Sequence, residues 1–119
     1  MDALAIQNLT RGSELADAAR HARTLWTRLR GLLGTKALAE GAGLVIEPCN
    51  SVHMWGMSYP LDVVFASRSL EVVGVVEDLR PWRMTRMYRG ARYAIELPVG
   101  VIARSGTQLG DKLQFAPAL

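Results

Sequence analysis

The side chains with the most chemical potential fall in one dense stretch, Cys49 to Asp62, which reads CNSVHMWGMSYPLD. His53 is its only histidine. An imidazole titrates near neutral pH, so it suits an acid, a base or a ligand. The competing reading is a strand histidine hydrogen-bonded to backbone or to a neighbouring acid. Asp62 opens the apolar run Val63-Val64-Phe65. A carboxylate there must face solvent or find a donor, because burial without a partner is costly. Arg30, Arg80 and Arg83 are candidate donors, and a structural pair or a backbone cap is the alternative role. Glu96, inside AIELP, raises the same question. Glu47, Asp62 and Glu96 offer a carboxylate pair for hydrolysis, but spacing alone does not put two of them at catalytic distance.

Trp55, Met57, Tyr59 and Trp82 form a second set, suited to lining a site for a sugar or an apolar ligand. Alternation along an extended segment would place Trp55, Met57 and Tyr59 on one face, which serves equally well as core. Arginines recur at 80, 83, 86, 89 and 92, with no acid from Leu79 through Arg92. A phosphate or RNA surface fits that run. So does a solvated loop whose arginines pair with Glu71, Glu77 and Asp78. Cys49 and His53 lie four apart, short of the four ligands a structural zinc wants, and no metal or cofactor is expected. The glycines form no phosphate loop: Gly31-x-x-Gly34 lacks the lysine-serine ending, and Gly41-x-Gly43 lacks the third glycine.

These residues need elements to position them. Residues 3–9 (ALAIQNL) predict a first strand and Thr10-Arg11-Gly12 a turn. Ser13 to Leu33 is ambiguous. Its alanines, leucines and arginines favour helix, with Ser13 as cap, Leu15, Ala19, Ala22, Leu25, Trp26, Leu29 and Leu33 as the apolar face, and Gly34 closing it. Leu44-Val45-Ile46 predicts a buried strand ended by Pro48, and Val52 to Met57 another short strand. Asp62–Ala66 and Leu70–Glu77 predict a hairpin across Ser67–Ser69. Asp78 to Gly90 reads as loop and Ala91 to Leu97 as strand. Pro98 to Ser105 reads as a single helical turn, Gly106 to Asp111 as a turn, and Lys112 to Ala116 as the last strand. Six or seven short strands with one or two helices predict a small barrel or sandwich, the helix covering an open end or edge.

At 119 residues the chain supports one core, so one domain over 1–119 is expected. Half of it is hydrophobic and 21% is charged, a balance that argues against disorder. The net charge is only +3, carried by arginine rather than lysine, and this alone is weak support for a nucleic-acid partner. One cysteine excludes an intrachain disulfide and is compatible with a reducing compartment. MDALAIQNLTRG shows neither a secretory nor a lipidation signal. Nothing approaches a spanning run, so no membrane span is expected and a cytoplasmic location is, unless a leader has been removed.

Several pieces resemble the DUF192 family, also called UPF0127, a widespread bacterial and archaeal family. They are Arg30-Gly31-Leu32-Leu33, Gly43 to Ile46, His53 to Phe65, Leu79 to Arg83, Tyr93 to Leu97, Gly100, and Gly110-Asp111 before Leu113, covering roughly 20–116. Many members read histidine, threonine, phenylalanine, glycine, methionine, arginine, phenylalanine, proline before the leucine-aspartate pair. His53, Gly56, Met57, Pro60 and Asp62 match that pattern; Met54, Trp55, Ser58 and Tyr59 depart from it, and only Ser58 loses a charge. The resemblance implies a mainly β domain of barrel or jelly-roll character, with the arginine-glycine-leucine run on or near a brief helix. It implies no activity, substrate or cofactor. Many members look exported or lipid-anchored, and this sequence shows no such leader.

The reading is therefore a mainly β, small barrel or jelly-roll-like domain with one or two short helices. Its expected role is a non-enzymatic binding or accessory one, for a small molecule or a protein. The expected ligand surface comprises His53, Trp55, Met57, Asp62, Arg80, Trp82, Arg83 and Glu96. A small hydrolase or carbohydrate-processing protein using Asp62 with Glu96 or His53 is the first alternative. A phosphate or nucleic-acid binder using the 80–92 arginines is the second.

Overall fold

The structure is a computed structural model that describes residues 3–22 and 38–118. Arg30, the Arg30-Gly31-Leu32-Leu33 motif and the expected helix beyond Ala22 lie outside the described residues. Among the described residues seven strands follow in order: β1 Leu4–Asn8, β2 Ser13–Ala22, β3 Ala42–Ile46, β4 Leu61–Ala66, β5 Val72–Leu79, β6 Tyr93–Leu97 and β7 Leu113–Pro117, with a short helix α1, Val101–Ser105, before the last. They form one sheet in the order β5-β4-β6-β3-β2-β1-β7. Only β2 and β3 run parallel.

The edge strands meet at one end. The Val72 amide donates to the Asp111 carbonyl at 2.8 Å, and the Leu113 amide to the Leu70 carbonyl at 2.8 Å. The sheet is thus curled into a half-barrel, and the mainly β expectation holds. All seven strands send side chains inward, among them Ile6, Leu15, Val45, Val64, Val72, Ile95, Leu97 and Leu113, and α1 adds Val101 and Ile102. A second core covers the outer face of the central strands. Here Leu44, Ile46, Leu61, Val63, Phe65 and Ala94 pack under Val52, Met54, Met57 and Tyr59 from the long β3–β4 connection. Strand β4 is consequently buried on both faces.

The expected helix from Ser13 is not formed over its first ten residues: Ser13–Ala22 is strand β2. Two register shifts against β1 explain the misleading pattern. Each inserts residues into β2, so its buried positions fall at Leu15, Ala16, Ala19 and Ala22 instead of alternating. That spacing imitates a helical face. Pairing with β1 on one side and β3 on the other overrides alanine's helical preference. Among the described residues the helix that packs on the sheet is the short α1.

The expected strand Val52 to Met57 is also not regular. It makes one antiparallel bridge, His53 to Met84, and then turns. Around that bridge the Met54 amide donates to the Arg83 carbonyl and the Thr85 amide to the Val52 carbonyl, both at 2.8 Å. The Tyr88 amide donates to the Asn50 carbonyl, also at 2.8 Å. Residues 50–54 and 82–88 therefore run side by side as an irregular ribbon across the outer core.

Candidate functional site

Two tight turns close this ribbon at the same end. In the first, the Met57 amide reaches the Met54 carbonyl at 3.3 Å, with Gly56 at φ 81° in the third position. In the second, the Arg83 amide reaches the Arg80 carbonyl at 3.1 Å, with Pro81 second and Trp82 third at φ 66°. Proline second and a positive φ third are the marks of a type II turn, where glycine is the natural third residue. Trp82 occupies that place at a backbone cost of about 1–2 kcal/mol.

The two turns bring Trp55 and Trp82 together. Their rings stack at 6.0 Å between centroids with planes 28° apart, and Trp55 stacks on His53 at 5.7 Å and 30°. Trp55 remains 43% exposed and Trp82 66% exposed. His53, Trp55 and Trp82 thus form a continuous aromatic row, half of it facing solvent.

The segment after Trp82 repeats every three residues. Thr85 is buried, and Tyr88 and Ala91 pack against the outer core. The Tyr88 ring lies on Phe65 at 4.4 Å and fills the space over Gly74, where an added Cβ would enter the ring. One step on from each inward residue or turn stands an arginine: 83, 86 and 89, all exposed. The remaining phase is methionine, with Met84 63% and Met87 69% exposed. Arg86 lies over the Tyr88 ring at 4.2 Å. Arg80 pairs with Asp78 at 3.0 Å and Arg92 with Glu47 at 3.1 Å. Among the described residues no carboxylate pairs with Arg83, Arg86 or Arg89.

The other expected site residues are placed differently. Met57 and Tyr59 are buried in the outer core, so they do not share an exposed face with Trp55. The turn at Gly56 is the reason: it breaks the alternation between Trp55 and Met57. Asp62 is 1% exposed and points into the half-barrel. Its Oδ2 accepts the Gly100 amide at 3.1 Å and the Ile102 amide at 3.0 Å, and its Oδ1 accepts the Asp78 amide at 2.9 Å. One carboxylate thereby satisfies the open N-terminal amides of α1 and the amide at a bulge in β5, where the β4–β5 register shifts and Asp78 has φ 53°.

Glu96 is fully buried on β6. The β4–β6 register pairs Val63 with Glu96 and Asp62 with Leu97. Directly paired residues share a face and neighbours alternate. Glu96 therefore lies on the outer-core face and Asp62 on the inner face, with the sheet between them.

Two polar clusters escaped the sequence reading. Glu47 lies between His21 Nε2 at 2.9 Å and Arg92 Nε at 3.1 Å. Burial pulls the Glu47 carboxyl upward, but hydrogen bonds from Arg92 and His21 outweigh it and hold it below the usual range. Asp111, which is buried, accepts from Asn8 Nδ2 at 2.9 Å, Arg11 Nε at 3.0 Å and the Gln108 amide at 2.9 Å. Burial again pushes upward and these donors win, so its carboxyl too sits below the ordinary range. Both clusters join elements remote in sequence, which is why spacing gave no signal for them. Met84 and Met87 were also missed; their signal is the three-residue rhythm they share with the arginines.

The model of the DUF192 family, described as "Uncharacterized ACR", matches residues 6–115. A UPF0127 protein of Thermococcus sibiricus is 33% identical over 112 residues, covering 91% of this chain and 72% of that protein. A UPF0127 protein of Pyrococcus furiosus is 32% identical over 111 residues, covering 91% and 95%. Among solved structures, a protein of unknown function from Novosphingobium aromaticivorans superposes with TM-score 0.77 at 19% identity, covering 94% of this chain and 83% of that one. A putative transcription regulator from Sinorhizobium meliloti gives TM-score 0.77 at 21% identity, covering 96% and 92%. At these identities the solved structures speak for the fold alone.

Proposed function

The chain belongs to the uncharacterised DUF192 family, and from its geometry we propose a non-enzymatic binding domain whose recognition surface is the His53–Trp55–Trp82 row with the flanking arginines. One observation carries this reading. A tryptophan occupies a turn position that favours glycine and is left two-thirds in solvent. A residue chosen for the fold alone would relieve that conformation; a strained, exposed aromatic is characteristic of a surface kept for contact. Arg80 and Arg83 flank the row at the turn. Met57 and Glu96 lie in the outer layer beneath it, whereas Asp62 anchors α1 on the opposite face of the sheet.

The test is direct observation of the indole groups. Trp55 and Trp82 resonances, assigned through Trp55→Phe and Trp82→Phe, are followed against oligosaccharides, nucleotides, a single-stranded RNA and peptides of either charge. At least one probe class is expected to shift both signals, and Trp82→Gly to abolish its binding with the fold intact. If no class shifts either indole, or if binding survives Trp82→Gly unchanged, the proposed surface is wrong.

A further inference from the structure

We infer that this surface docks an acidic protein segment bearing an apolar or aromatic anchor. The inference rests on the binding reading above and specifies its partner. The ribbon exposes Trp55, Trp82, Met84, Met87, Arg83 and Arg86, with Arg89 at its end. Tryptophan, methionine and arginine are the residue types enriched at protein interfaces, while lysine is depleted there. Tryptophan and arginine also dominate the few positions that carry most of the binding energy.

Charge complementarity sets the sign of the partner. Arg80 and Arg92 are occupied by Asp78 and Glu47, whereas Arg83, Arg86 and Arg89 have no carboxylate partner among the described residues. Guanidinium groups engage carboxylates through paired hydrogen bonds. Arg86 is already steadied on the Tyr88 ring, which lowers the ordering cost of using it.

The methionines favour protein over nucleic acid. Met84 and Met87 alternate with the arginines along the segment and are more than 60% exposed. A thioether side chain adapts to apolar side chains of varied shape and offers nothing to a phosphate backbone. A stacking groove for single-stranded nucleic acid would place aromatic or basic groups there.

The probe is a random copolymer of glutamate and tyrosine. The controls are polyglutamate, a lysine–tyrosine copolymer and a mixed-sequence single-stranded RNA, read by calorimetry and by the Trp55 and Trp82 indole signals. The glutamate–tyrosine polymer is expected to bind and shift both indoles. Polyglutamate should bind about tenfold more weakly and the lysine copolymer not measurably. The combined Arg83→Gln, Arg86→Gln and Arg89→Gln variant should lose about tenfold in affinity while melting normally, since all three side chains are exposed. Binding should weaken as salt rises. Tighter binding of the RNA, or equal binding of the lysine copolymer, overturns the acidic partner and leaves the binding surface standing. No shift of either indole by any probe overturns both.

Discussion

Replacing Asp62 with asparagine separates a structural carboxylate from a reactive one. The amide keeps one acceptor oxygen. In its better orientation that oxygen retains the Gly100 and Ile102 amides, and the new NH2 group faces the Asp78 amide, donor against donor. Two charge-assisted hydrogen bonds become neutral ones, each weaker by about 1 kcal/mol. The third is lost and its donor left unsatisfied in a partly buried place, at a further ~1–3 kcal/mol. The expected loss is about 3–5 kcal/mol, a large share of the roughly 5–15 kcal/mol that holds a domain of this kind together. With a urea dependence of about 2 kcal/mol per molar, the unfolding midpoint should fall by ~1.5–2.5 M. Amide exchange at Ile102 should accelerate beyond the global effect, because the first turn of α1 is tied down through this carboxylate. The binding surface lies on the other side of the sheet, so folded Asp62→Asn should bind the glutamate–tyrosine copolymer as the unaltered protein does. A stability change under about 0.5 kcal/mol, or selective loss of binding with stability preserved, would refute the structural role.

Three further outcomes follow from the geometry. At Trp82 the usual order of small residues should invert: Trp82→Gly should be more stable than Trp82→Ala by about 1 kcal/mol, because only glycine adopts the left-handed backbone without strain. Equal stability, or a more stable alanine variant, on thermal melting would argue against that turn. Gly74→Ala should cost about 1–3 kcal/mol and also weaken binding, since its methyl group displaces the Tyr88 ring that seats Arg86; crystallography or Tyr88 ring shifts would report the displacement. Glu47 and Asp111 both have lowered carboxyl pKa values, so their stabilisation is present above the unfolded-state pKa and is lost as pH falls through the lower folded value. Melting temperature should hold near neutrality and drop below about pH 4–5, and Asp111→Asn, less stable at neutral pH, should show a shallower acid loss.

Much of the fold is written locally. The hairpin of β4 and β5, the strands β3, β6 and β7, and the short helix after Pro98 follow from branched apolar runs between turn residues. The family resemblance was likewise legible, because its motifs are ordered strings of residues, and the match over residues 6–115 bears it out. Sequence also singled out His53, Trp55 and Trp82, and these three do meet.

What the chain order conceals is decided by pairing. Ser13–Ala22 has a helical rhythm only because bulges against β1 stretch its alternation, and two neighbouring strands hold it extended. Asp62 and Glu96 look like partners until the β4–β6 register puts the sheet between them. The row of Trp55 on Trp82 requires two separate turns to lie side by side, 27 residues apart in the chain, which follows from the backbone hydrogen bonds of 50–54 with 82–88. Local composition sets what a segment prefers; only long-range hydrogen bonding sets which side of the sheet each side chain meets.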